Sequence, residues 1–272
     1  MKLKLFASVC LAAGLAVGLS GCGDKNEAPK ADAGKTLTVG ASPVPHADLL
    51  NLVAPQLKKD GITLKVIEFS DYIKPNMSLA DKEIDANFFQ HKPYLDAFAK
   101  DRGLKLASLV AVHIEPMGVY SNKVKNVADL QEGAKVAVPN DPTNGGRALK
   151  VLETAGLIKV RPEAGVMATV GDVTDNPKKV KFVEVEAAQL PRALDDVALA
   201  VINSNYALGA GLNPLKDAIA IESKDSPYAN IIAIRAGEDN RAELQKLKAA
   251  LTSAEVKKFI ETEYKGAVVP AF

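Results

Sequence analysis

The 272-residue sequence has no tryptophan, only three histidines and only two cysteines. Two cysteines are too few for a disulfide-rich scaffold or for a cysteine-built zinc or iron–sulfur site. Neither sign of charge is in excess: 34 Lys plus Arg stand against 33 Asp plus Glu, a formal charge of +1. A nucleic-acid binder needs a basic surplus to displace counterions from phosphates, so that class is excluded. His46, His91 and His113 are too far apart in sequence to form a metal signature. There is no Gly-x-Ser-x-Gly elbow and no Ser-x-x-Lys motif. The expectation is therefore a protein without a catalytic residue, a metal or a cofactor. What is present is a 47% hydrophobic, 25% charged composition, enough to build a core.

The N-terminus reads as an address. Lys2 and Lys4 precede an apolar run from Leu5 to Leu19, the basic and hydrophobic regions of a secretory signal. The run is too short to span a bilayer as a helix, which takes roughly 20 residues. It closes in Leu19-Ser20-Gly21-Cys22, which resembles the lipobox of bacterial lipoproteins. The resemblance implies cleavage after residue 21 and lipid, including fatty acyl chains such as palmitate, on Cys22. A plain cleaved signal with Cys22 as an ordinary thiol is the alternative. Cleavage removes Cys10, Lys2 and Lys4, which shifts the charge from +1 to −1 and leaves no pair of cysteines for a disulfide. Residues 22–34 hold no large apolar side chain and read as a flexible tether.

From Thr36 onward, extended and helical patterns alternate. The segments 36–42, 62–69, 86–90, 134–138, 180–185, 199–202 and 230–234 read as strands, and Leu104–Tyr120 as two extended runs broken near Pro116. Leu49, Val53 and Leu57 mark one helix face, Leu149 and Leu152 another, and Leu244, Leu247 and Leu251 a third. Tyr72–Ile84, Pro93–Lys100, Asn126–Gln131, Ala187–Asp195 and Ala254–Tyr264 complete the helical stretches. Such alternation predicts an α/β fold with mainly parallel sheets, and the length favours two lobes over one sheet.

Three groups of residues could hold a ligand. Tyr72, Phe88, Phe89 and Tyr94 cluster around His91. Neighbouring residues on a strand face opposite ways, so one of Phe88 and Phe89 enters the core and the other projects where the strand ends. Core packing alone would also explain all four aromatics. Asn140-Asp-Pro-Thr-Asn-Gly-Gly-Arg147 joins a strand to a helix. Its glycines would let backbone approach a ligand, and its free N–H groups lie at the positive end of the helix. Arg147 is a cation where the helix dipole favours anions, which makes sense if a bound carboxylate lies between. A surface arginine paired with Glu153 is the alternative. Asn203, Asn205 and Asn230 flank strands and offer both donors and acceptors, although asparagine is also a common turn former.

Five segments resemble the NlpA/MetQ family of methionine-binding lipoproteins. They are Asn87-Phe-Phe-Gln-His-Lys-Pro-Tyr-Leu-Asp96, Asn140-Asp-Pro-Thr-Asn-Gly-Gly-Arg-Ala-Leu149, Ile202-Asn-Ser-Asn-Tyr-Ala-Leu208, Lys224-Asp-Ser-Pro-Tyr-Ala-Asn230 and Gly266-Ala-Val-Val-Pro-Ala-Phe272. They are collinear from Val39 to the C-terminus. The resemblance implies the two-lobed periplasmic-binding-protein (type II) fold, with residues 35–119 plus 228–272 as one lobe and 120–227 as the other. It implies methionine in the interlobe cleft, the L-form foremost and the D-form as a second candidate. Arg147 would clamp its carboxylate, Asn230 with one of Asn203 and Asn205 would hold the head group, and Asn144 is a further ligand-binding candidate. Tyr72, Phe89 and His91 would line the side-chain pocket, with Phe88 and Tyr94 nearby. The implied partners are an ABC permease, its cytoplasmic ATPase and the membrane reached through lipid, in the bacterial envelope facing the periplasm or exterior. Other readings are a different small amino acid, a methionine-containing dipeptide, or a surface adhesin.

Overall fold

The computed structural model describes residues 34–272; the signal segment, Cys22 and all of the tether except Gly34 lie outside the described residues. Two sheets organise the chain. The first has six strands in the order β13-β4-β12-β3-β1-β2. These are β1 (Lys35–Ala41), β2 (Ile62–Glu68), β3 (Ala86–His91), β4 (Leu106–Ile114), β12 (Ala229–Arg235) and β13 (Val269–Pro270). The second runs β11-β5-β10-β6-β9, built from β5 (Gly118–Tyr120), β6 (Lys135–Pro139), β9 (Lys181–Val185), β10 (Leu199–Ile202) and β11 (Ala220–Ile221). A small separate pair joins β7 (Lys159–Val160) to β8 (Val173–Asp175).

Helices cover both faces of each sheet, which is why the central strands are apolar on both sides. On the first sheet, α1 (Asp48–Lys59), α7 (Ala242–Leu251) and α8 (Ala254–Glu263) press Leu49, Leu50, Val53, Leu57, Leu244, Leu247, Leu251 and Ile260 onto Leu37, Val39 and Ile232. The opposite face receives Leu79 from α2 (Lys74–Ala80) and Leu95 from α3 (Lys92–Arg102). On the second sheet, α4 (Pro142–Thr154) buries Leu149 and Leu152. The other face takes Leu190 from α5 (Leu190–Ala193) and Ala207 from α6 (Ser204–Gly209).

The sheets are mixed, where mainly parallel pairing was expected. β1 runs parallel to β2 and β3, and β6 runs parallel to β9 and β10. However, β12 is antiparallel to β3 and β4, and β5 is antiparallel to β10 and β11. The cause is the way the chain passes between sheets. Strands reached by a local helical crossover end at the cleft, whereas β5 and β12 enter from the other sheet and so begin there. The alternating-hydrophobicity signal reports that a strand exists but not its direction. The chain crosses once at Glu115–Met117 and again at Glu222–Tyr228, and the carboxyl ends of β3, β4, β6 and β10 face the gap between the sheets. This is the two-lobed periplasmic-binding-protein fold, and its ligand position is the crevice at strand ends.

Candidate ligand-binding site

A narrow cavity occupies that crevice. Tyr72, Phe89, His91 and Tyr94 line it from the first sheet's half, and Asn144, Arg147, Asn203 and Asn205 from the second. Asn230 at the start of β12, Glu115 on the first crossing, Gln90 and Ser204 complete the wall. Of the residues singled out in the sequence, only Phe88 is elsewhere. It is fully buried in the first core, because β3 alternates and Phe89 takes the cleft side.

The aromatic wall is a set of edge and tilted contacts. The Tyr72 ring centroid lies 5.7 Å from Phe89, 5.9 Å from Tyr94 and 4.9 Å from Tyr206. His91 ends β3 and caps α3, its Nδ1 accepting the Tyr94 backbone N–H at 3.1 Å. That bond places the ring proton on Nε2, which donates to Asn144 Oδ1 at 3.2 Å. Burial, helped by the nearby Arg147 charge, pulls the His91 pKa down to about 3, so the ring is neutral.

Following each amide to its partners shows which polar group remains for a ligand. Asn144 Nδ2 donates to both oxygens of Asp141 at 3.0 and 2.9 Å, and its Oδ1 accepts from Asn203 Nδ2 at 2.8 Å. Among the described residues Asn203 Oδ1 is buried without a partner, and an unsatisfied acceptor costs about 1–3 kcal/mol unless a donor meets it. Asn205 Oδ1 accepts from Tyr72 Oη at 2.5 Å, and Asn230 Oδ1 from His46 Nε2 at 3.0 Å. Both of these amides keep their N–H groups. Arg147, 3% exposed, donates from Nε and Nη2 to the Glu222 carboxylate at 2.5–3.1 Å and from Nη2 to the Glu115 carbonyl at 2.7 Å. Among the described residues its Nη1 has no protein hydrogen-bond partner, and its guanidinium lies 4.4 Å over the Tyr228 ring. The cavity thus presents donors from Arg147, Asn205 and Asn230, set against acceptors from Asn203 and Glu115.

Two expectations about the 140–147 segment change, and the alternative pairing of Arg147 is replaced by another. The α4 N-terminus is already capped, since Asp141 accepts the Asn144 backbone N–H at 2.9 Å and so takes the place of an external anion. Arg147 pairs with Glu222, and Glu153 instead pairs with Lys150 and the Val160 backbone. The glycines serve backbone packing. A Cβ on Gly146 would meet Val166 O at 2.5 Å and Ala168 N at 2.9 Å, and one on Gly145 would meet Pro139 O at 3.0 Å. A wider depression lies on the outer side of Tyr228, between Lys150, Arg161 and Val166. Its walls are mostly apolar, and its Lys150, Glu153, Arg161 and Glu222 are already held in ion pairs.

Sequence spacing missed Glu115 and its companions. His113 Nε2 is 2.7 Å and His46 Nε2 is 3.2 Å from the same Glu115 oxygen, Oε1. The register accounts for the convergence: Asn230 on β12 stands between His91 on β3 and His113 on β4. Their ligand atoms lie within 4.8 Å of one another, so the three form the group that could coordinate a metal among the described residues. No sequence motif announces the group, because its members come from a loop, a strand and a crossing segment. Burial raises the Glu115 pKa, an effect opposed by His46 and Arg147, and it lowers His46 to about 4 and His113 to about 3.

The fold and this cleft define a two-lobed solute-binding protein. A family model described as NlpA lipoprotein matches residues 37–272, and the chain belongs to that family. The D-methionine-binding lipoprotein MetQ of Escherichia coli (strain K12) is 43% identical over 272 residues, covering 98% of each chain. A nutrient binding protein from Burkholderia cenocepacia bound to methionine is 50% identical, with a TM-score of 0.84 over 87% of this chain and 100% of that one. An ABC transporter periplasmic substrate-binding protein from Coxiella burnetii is 43% identical, with a TM-score of 0.83 over 86% and 100%. No helix among the described residues is long and apolar enough to cross a membrane.

Proposed function

We propose that this protein captures methionine in the cleft and delivers it to the permease and cytoplasmic ATPase of an ABC importer. The observation that carries this reading is the split of the cavity's polar groups with spare hydrogen-bonding capacity into two sets. Arg147 Nη1, Asn205 Nδ2 and Asn230 Nδ2 are donors suited to a carboxylate. Glu115 and the orphaned Asn203 Oδ1 are acceptors suited to an ammonium. One ligand satisfies both sets if it is an α-amino acid zwitterion. In this reading Asn203 and Asn205 both contact the head group, with opposite polarity. The Tyr72–Phe89–Tyr94 wall then receives the side chain, and a polarizable thioether packs well on aromatic rings. The names of the relatives support methionine as that side chain.

Ligand touching both halves favours the closed over the open arrangement, which is the signal a permease can read. The reading extends to the N-terminus: residues 1–21 act as signal peptide, Cys22 carries lipid, and residues 22–34 tether the two lobes to the envelope membrane. Because β5 (Gly118–Tyr120) pairs in the second sheet, the lobes divide at the Glu115–Met117 crossing, ahead of the expected 119/120 boundary. Calorimetry on protein stripped of carried-over ligand by unfolding and refolding tests the central claim. Saturable heat with L-methionine is expected, and the D-form is assayed beside it. Absence of heat with both, alongside binding of a different solute, overturns the claim.

A further inference from the structure

The histidines behind Glu115 do not reach the cavity wall, yet they hold two residues that do. His46 and His113 are at most 1% exposed, and their rings lie 4.9 Å apart. Phe88 meets them edge-on at 4.7 and 5.2 Å and seals them from solvent. Among the described residues neither Nδ1 makes a well-formed hydrogen bond, the Val44 carbonyl only bordering the His46 ring, while the His46 Nε2 faces two acceptors and the His113 Nε2 one. A buried N–H without an acceptor costs more than a bare imidazole lone pair, so both rings carry their proton on Nε2. His113 therefore donates to Glu115 Oε1 at 2.7 Å, and His46 divides its donation between that oxygen at 3.2 Å and Asn230 Oδ1 at 3.0 Å. Two donors on Oε1 fix the carboxylate's rotation at the cavity wall, where the Asn205 backbone N–H also meets it. The bond to Asn230 Oδ1 fixes that amide with its N–H groups toward the cleft.

We propose that His46 and His113 are positioning residues of the amino-acid site: together they orient the Glu115 carboxylate toward the ligand's ammonium, and His46 also orients the Asn230 amide toward its carboxylate. The proposal rests on the α-amino-acid reading above. Because Glu115 is the one residue that the His113 side chain hydrogen-bonds among the described residues, its removal acts mainly at the ammonium end. The removal of His46 acts at both ends.

The test compares L-methionine with 4-(methylthio)butanoate, which lacks the amino group, using calorimetry on the ligand-free mature chain. His113→Leu should weaken methionine binding by about 10-fold or more, the value of a hydrogen bond to a charged group, and change binding of the des-amino acid by less than about 3-fold. His46→Leu should weaken both ligands. His46→Gln and His113→Gln, which keep a donor near the Nε2 position, should recover most of the loss. Equal losses for both ligands in His113→Leu, or no loss, overturn the proposal while leaving methionine binding by the wild type intact. A wild type that binds no amino acid overturns the underlying reading and the proposal with it. Should the leucine variants not fold, the imidazole ¹⁵N spectrum of the wild type decides. Two neutral Nε2–H rings whose signals shift on methionine addition support the proposal, and Nδ1–H rings overturn it. Loss of methionine binding on chelation, restored by zinc, also overturns it in favour of metal coordination by the same three side chains.

Discussion

Acidification should destabilise this fold steeply, because three histidines are buried as neutral rings. The ordinary histidine pKa is about 6.5, whereas burial lowers His46 to about 4 and His91 and His113 to about 3. A lowered folded pKa means that the unfolded chain binds protons the folded chain refuses. Stability is then fully present above about pH 6.5 and falls as the pH drops toward 4 for His46 and toward 3 for the other two. At pH 5, about 1.5 units below the unfolded value, each ring costs about 2 kcal/mol, or about 6 kcal/mol for all three. Glu115 works in the opposite sense, since its raised pKa lets the folded chain take up a proton first, so 6 kcal/mol is an upper bound. Against a typical total of about 5–15 kcal/mol, that is a large share. Urea unfolding of the ligand-free soluble chain, followed by circular dichroism at pH 7.5 and 5.0, measures the drop. His113→Gln should remove about 2 kcal/mol of the difference between the two pH values. Equal stability at both pH values, or an unchanged difference in His113→Gln, refutes the burial argument.

Arg147→Lys keeps the charge but loses the planar fork that serves Glu222, the Glu115 carbonyl and a ligand at once. Methionine affinity should fall about 10- to 100-fold by calorimetry, and wild-type affinity would remove Arg147 from the site. Gly146→Ala drives a Cβ into the Val166 and Ala168 backbone, which cannot rotate aside. A loss of about 1–3 kcal/mol is expected in urea unfolding, and an undiminished midpoint contradicts the close approach. Tyr72→Phe deletes the hydroxyl that donates across the cleft to Asn205 Oδ1. At about 1 kcal/mol, the loss should appear as roughly five-fold weaker binding, carried mainly by faster release in stopped-flow fluorescence. An unchanged release rate argues that this bond does not hold the closed form.

The strand and helix pattern was legible because burial on one or two faces writes itself into hydrophobic spacing. The faces of α1, α4 and α7 were readable residue by residue. Strand direction was not, because β12 and β5 owe their reversed sense to which sheet the chain has just left. The cleft residues were legible where they sit at the end of a strand, as Asn203 does after β10 and His91 at the close of β3. Glu115 and Glu222 were invisible because they lie on the crossing segments, where no periodicity marks a facing direction. The Gly145-Gly146 pair shows the complementary error. A glycine signals that something comes close, but the sequence does not say whether it is ligand or the chain's own backbone.

The location of those carboxylates explains how a dry cleft can present two opposite charges. An isolated buried charge costs several kcal/mol, so a bare Arg147 and a bare Glu115 would strain the ligand-free fold. Glu222 neutralises the first through Nε and Nη2, and the two histidines share the second through Oε1. Each charge therefore keeps unused valence toward the cavity without standing unpaired. Both carboxylates belong to crossing segments, so a zwitterion bridging Arg147 and Glu115 touches the first crossing directly and reaches the second through the Arg147–Glu222 pair. Across the cleft itself, Tyr72–Asn205, His91–Asn144 and Tyr206–Ser70 hydrogen bonds link the two sides. At about 1 kcal/mol each, they supply about 3 kcal/mol, less than the 5.5 kcal/mol that moves an equilibrium from 1:99 to 99:1. The charged head-group contacts, at about 1.5–3 kcal/mol apiece, cover the difference. On these magnitudes closure is poised by the protein and decided by the ligand's two charged ends, so a des-amino or des-carboxy analogue should bind without holding the halves shut.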